Sequence, residues 1–166
     1  MARNATATPT TPSPERQFAS FLAKYTPEIV AETEAVLAKM RARLPGAVEM
    51  VYDNYNGLVI GFGAEEKPRD AVFSIIVLPD HVTLCFIWGA DLFDPGKLLR
   101  GGGIQVRHIR LEGPQTLDAA PVQALMTEAI ARSARPFDDA QPNRMVIRAV
   151  HPKPRPRRPA PPKKGR

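Results

Sequence analysis

Arg107, His108 and Arg110 place three nitrogen-rich side chains within four positions of one another. That density of cationic donors suits the grip of a carboxylate or a phosphate. They close the segment GADLFDPGKLLRGGGIQVRHIRL, residues 89 to 111. Alternation along an extended chain puts His108 and Arg110 on the face of Ile104 and Val106, and Arg107 on the other face with Ile109 and Leu111. One face must then mix apolar and cationic groups, as at a bulge, a sheet rim or an anion pocket. Two readings follow: a small anionic ligand or protein partner meeting the domain near Tyr52 and this segment, or structural pairing of the cations with nearby acids.

Other chemistries find weaker signals. Gly101 to Gly103 precede a strand, whereas a phosphate cradle needs glycines leading into a helix N-terminus. Gly96-Lys97 is followed by Leu98, not by the Ser or Thr with which a P-loop holds magnesium. His81, His108 and His151 are not at metal-ligand spacing. Ser20, Ser74 and Ser133 lie in no nucleophile-elbow motif. Cys85, the single cysteine, stands in the apolar VTLCFIW as a buried thiol. The reading leans to a non-enzymatic binding or accessory protein with no cofactor, and leaves open acid–base pairs whose partners meet only in space.

The elements that must position these residues are legible from caps and periodicity. Ser13-Pro14 offers a helix start, and Phe18, Phe21, Leu22 and Tyr25 keep the spacing of one buried face. Thr26-Pro27 repeats the start signal, and Ile29, Thr33, Val36, Leu37, Met40 and Leu44 form the core side of a second helix that Pro45-Gly46 ends. From Ala47 the period is two. Strands are expected to 53, over 58–63 after an Asn56-Gly57 turn, over 71–79, 82–88 and 104–111. Tyr52, Tyr55, Phe62, Phe73, Phe86 and Trp88 fall in or beside these strands and are expected mostly in the core. A helix capped by Asp118 carries Val122, Leu125, Met126, Ala129 and Ile130. Residues 145–150 are an edge strand or an extended segment. Short loops force antiparallel pairing, so the expected class is α+β: N-terminal helices and a C-terminal helix on one face of a mainly antiparallel sheet of five or six strands.

Charge is distributed unevenly. Of 23 Lys and Arg, seven lie in the last sixteen residues, which contain no acid. These are Lys153, Arg155, Arg157, Arg158, Lys163, Lys164 and Arg166, and removing them leaves 16 basic against 17 acidic residues. With six prolines among them, residues 151–166 are expected to be an extended, mobile tail that could neutralise nucleic-acid phosphates without reading sequence. Seven contacts to a duplex would give a log–log salt slope of about −6. Residues 1–12, rich in Thr, Ala and Pro, are expected to be disordered. No stretch approaches the roughly 20 apolar residues that span a bilayer, and no secretory leader is visible. The expectation is a cytoplasmic protein of one domain, residues 13–150, without a membrane partner.

Asp94-Pro95, Leu98-Leu99, Gly101 to Gly103, Arg107-His108 and Ile109 to Leu111 resemble the pattern of the YdhG-like family of uncharacterised bacterial domains. The strand pair VYDNYNGLVIGF and the ending VIRAVHPKPRPRRPA look similar to the same family. Arg100 departs from it, standing where many members carry an acid. The resemblance implies a frataxin-like α+β fold. Some members are taken for iron chaperones by analogy with frataxins, which bind iron through acids of the first helix and first strand. That alternative would use Glu28 and Glu32, one helical turn apart, with Glu49 and Asp53 of the first strand. A solvated helix face of mixed charge explains the same acids without iron.

Overall fold

The computed structural model describes residues 8–163 and Gly165. Residues 1–7, Lys164 and Arg166 therefore lie outside the described residues, and with them part of the expected disorder and two of the seven tail cations. Among the described residues three α-helices and six strands form an α+β domain.

Helix α1 (Pro14–Leu22) starts where Ser13 Oγ accepts from the Arg16 amide at 3.2 Å. Helix α2 (Pro27–Arg43) starts where Thr26 Oγ1 accepts from the Ile29 amide. Both caps are those the sequence offers, and both helices bury the expected face. Gly46 then turns the chain with φ +83, and its amide donates to Asn143 Oδ1 at 2.6 Å.

The strands are β1 (Val48–Asp53), β2 (Leu58–Gly63), β3 (Ala71–Val77), β4 (Val82–Phe86), β5 (Arg107–Arg110) and β6 (Arg144–Val150). Their order is β5-β4-β3-β2-β1-β6, antiparallel throughout except for the parallel pair β1 and β6. Alternation assigns the faces. Val51, Ile60, Phe62, Phe73, Ile75, Leu84 and Phe86 join the helices in one core, while Val48 and Met50 form a small cluster with Ala71 on the helix-free face. Helix α3 (Ala120–Ala131) adds Val122, Leu125 and Met126 to the main core. The β1–β2 and β3–β4 turns share one end of the sheet, and the longer loops 64–70 and 87–106 share the other.

The largest boundary differences from the sequence expectation fall at β5, β4 and the start of α3, and β3 also ends at Val77, two residues short of the expected 79. Strand β5 begins at Arg107, because residues 101–106 leave the sheet: Arg100 and His108 exchange both backbone bonds (2.8 and 2.9 Å), and Gln105 is drawn to the Ala90 amide instead. Ile104 is consequently fully exposed. Strand β4 stops at Phe86, which leaves Trp88 outside the core at 54% exposure. Asp118 does not cap α3. Pro114 starts a short 3₁₀ turn over Pro114–Asp118, and the Asp118 carboxylate pairs with Lys39 at 2.7 Å.

The tail is the largest correction. Residues 151–158 run on from β6 along the β1–β2 turn: the His151 amide donates to Asp53 O (2.7 Å) and the Arg155 amide to Tyr55 O (2.9 Å). Arg157 is only 3% exposed. Among the described residues no helix is long and apolar enough to cross a membrane.

Candidate functional site

The sequence-derived cationic cluster does not converge. Arg107 Nη1 donates to Gly103 O and Val106 O, so this guanidinium braces its own loop. The opposing residue of His108 across the strand pair is Cys85. Arg110 leans toward the start of α2 and the β3–β4 turn. The Glu32 carboxyl there is raised above its ordinary value by burial, against the opposing pull of His81 and Arg110. Asp80 is lowered, first by its hydrogen bond with His81 at 2.7 Å and to a smaller degree by Arg110. Tyr52 lies on β1, four strands from β5, hence about 19 Å away at the usual strand spacing. At that separation Tyr52 cannot share a small ligand's contacts with Arg107, His108 and Arg110.

The β1 acids are engaged by arginines. Glu49 and Asp53 flank Val51 on the helix side. Glu49 receives a forked pair from Arg41, Nε to Oε2 at 2.9 Å and Nη2 to Oε1 at 2.7 Å, and this bonding raises the Arg41 pKa. Asp53 is 1% exposed, and its Oδ1 accepts from Arg157 Nη2 at 2.9 Å. Glu28 is exposed and Glu32 half-buried on α2. Among the described residues no three His, Cys, Asp or Glu side chains form a group able to hold a metal ion.

Arg157 is the anchor of the docked segment. Besides Asp53 it donates to the carbonyls of Tyr55 (3.2 Å) and Asn54, and its guanidinium lies 5.8 Å from the centre of the Tyr25 ring. The Tyr25 hydroxyl donates to Val77 O and accepts from the Leu58 amide, and burial raises its pKa. Lys24 Nζ stands 3.7 Å from Asp53 Oδ2, while Arg158 Nε donates to Lys24 O. The expectation of seven freely mobile cations fails at Arg157, whose charge is neutralised inside the domain. Lys153, Arg155, Arg158 and Lys163 remain exposed.

A cleft of about 520 Å³ opens at the long-loop end of the sheet. Its origin is local. Opposite Phe62 and Gly63 strand β3 is irregular, with Ala71 pairing to Gly63 and Phe73 to Phe62. Val72 is the extra residue of this bulge and contributes to the floor. Gly89 lets the chain pass Arg107 closely, since a Cβ there would lie 2.6 Å from Arg107 Cβ. That contact turns the chain after Trp88. Ala71, Val72, Leu92 and Ala129 make an apolar floor, Trp88 forms a wall, and Arg69, Asp70, Asp91 and Arg132 stand at the rim. Arg132 is held by Glu128 at 3.0 Å, and Asp70 lies 3.9 Å from both Arg69 and Arg135. The Ser133 hydroxyl donates to Arg135 O, so it is oriented by a carbonyl and not by a base. Cys85 lies on the helix-free face, its pKa raised by burial.

An apolar floor, one broad aromatic wall and a few charged rim groups are the ingredients of a small-molecule site, and the volume is in the usual range. Sequence reasoning missed it because Trp88 continues an apolar strand pattern. The Trp-Gly step at 88–89 was the available signal. Compared with known protein families, with curated proteins and with solved structures, the chain has no significant match.

Proposed function

We propose that this chain is a non-enzymatic binding or accessory protein of the YdhG-like kind, and that its ligand is a small organic anion held in the cleft beside Trp88. The carrying observation is the half-open indole above an apolar floor, with Arg69 and Arg132 at the mouth. The apolar body of such a ligand would cover Val72, Leu92 and Ala129, and its charged end would meet the two guanidinium groups. This moves the anion site from Arg107, His108 and Arg110 to the arginines that border a cavity.

Trp88 is the only tryptophan in the chain, so its emission reports this site alone. Titration with 1-anilinonaphthalene-8-sulfonate, an apolar sulfonate, should quench Trp88 saturably. Ala129→Phe, which fills the floor, should abolish the quench, and Arg132→Gln should weaken it. Undiminished quenching in a folded Ala129→Phe protein would refute the cleft as the binding site.

A further inference from the structure

Docking of residues 151–158 converts the end of the chain from a loose tether into part of a fixed surface. Arg157 is pinned by Asp53, Asn54 and Tyr55, so the residues on either side of it are held against the β1–β2 turn. Tyr55, at the tip of that turn, is 51% exposed. The His151 ring lies 5.3 Å from it at a tilt of 57°, and the Arg155 guanidinium 6.0 Å from its centre. Arg155 Nη1 also donates to Asn56 Oδ1 at 3.3 Å. Beside this aromatic the docked segment carries Lys153, Arg155 and Arg158, and Lys163 follows five residues further along the chain; all four are exposed and none is in an ion pair among the described residues. Asp53, the acid of the strapped turn, is already paired with Arg157 below the surface.

We infer that the strapped hairpin is a binding surface for single-stranded nucleic acid, with Tyr55 stacking on a base while Lys153, Arg155, Arg158 and Lys163 meet the phosphates. An exposed aromatic set among unpaired cations is how single strands are held without sequence preference: charge tracks the backbone, and the ring takes a base face. A duplex keeps its base faces stacked inside, so it can use the cations but not Tyr55. The same limit applies to polyphosphate and to anionic lipid. This surface lies at the opposite end of the sheet from the Trp88 cleft, and neither reading depends on the other.

The test is fluorescence anisotropy of the full chain with a labelled oligothymidylate of about 20 nucleotides, longer than one site. Four phosphate contacts predict a log–log salt slope of about −3, from about 0.7 per contact on a single strand. Tyr55→Leu should weaken binding about tenfold and leave that slope unchanged, since no charge is lost. Tyr55→Phe should bind as the parent does. The double change Lys153→Gln with Arg155→Gln should make the slope shallower by about 1.4. Thermal melting of each variant establishes that Arg157 still anchors the segment. Tyr55→Leu binding as tightly as the parent, a duplex of equal length binding equally well, or retention on phosphatidylglycerol vesicles without affinity for the oligonucleotide would each overturn the inference.

Discussion

Replacing Arg157 with alanine removes the guanidinium that Asp53 Oδ1 meets at 2.9 Å and takes a donor from the carbonyls of Asn54 and Tyr55, the second of which keeps the Arg155 amide. Asp53 stays in place, 1% exposed. Its remaining cation among the described residues is Lys24, 3.7 Å from Oδ2 and itself half in solvent. Breaking a buried ion pair from one side costs about 3–5 kcal/mol, because the abandoned charge keeps its desolvation penalty. Lys24 can shift toward Asp53, which places the expected loss near the lower figure, about 3 kcal/mol. For a domain of this size that lowers the melting temperature by roughly 6–12 °C. Urea unfolding should show the same loss as a lower midpoint with little change in slope. Truncation after Pro156 should match it, whereas truncation after Arg158 should leave stability within about 0.5 kcal/mol of the parent. Asp53→Leu combined with Arg157→Met should recover most of the loss, since the abandoned charge is then gone. A cost for Arg157→Ala below about 0.5 kcal/mol, the range of ordinary surface changes, would refute the reasoning and return residues 151–158 to solvent.

The Tyr25 hydroxyl donates to Val77 O and accepts from the Leu58 amide, so Tyr25→Phe should cost about 1–3 kcal/mol by leaving both backbone groups unpaired. Burial raises the Tyr25 pKa from its ordinary 10.0; above that value the unfolded chain has lost the proton and the folded one keeps it. Stability should therefore fall as pH rises beyond about 10, and Tyr25→Phe should flatten that part of the pH profile of urea midpoints. Glu32 is also raised by burial, from 4.5, and its Oε1 has no hydrogen-bond partner. Its folded form holds the proton longer than the unfolded one, so its contribution favours folding in acid and is lost as pH rises. Glu32→Gln should thus stabilise the protein at about pH 7 more than at about pH 4, read from melting at the two values. Gly46→Ala should cost about 2 kcal/mol or more in chemical denaturation, since φ is +83 and the new Cβ would lie 1.9 Å from Asp138 O.

Local signals carried α1, α2 and β1 to β4 well, because each rests on neighbours in sequence. Ser13-Pro14 and Thr26-Pro27 cap the helices they announce, and Asn56-Gly57 turns the hairpin. Failures arose where distant residues decide. Nothing in HPKPRPRRPA reports that Asp53, 104 positions earlier, lies beneath Arg157. Apolar alternation carried β5 back to Ile104, but the pairing of Arg100 with His108 ends it at Arg107. The cleft is built from residues 69–72, 88–92 and 129–134, three segments that meet only after the sheet and α3 have formed. The carboxylates Glu49 and Asp53 do lie on the first strand, as expected. Their arginine partners, Arg41 and Arg157, belong to other elements and could not be read from β1.

The central claim is that the cavity beside Trp88 holds a small organic anion, and native mass spectrometry tests it most directly. Protein taken from its own host should carry a small anionic adduct that dissociates on activation, and Ala129→Phe purified in the same way should lack it. An adduct retained equally by Ala129→Phe, or none in either protein, would contradict the account.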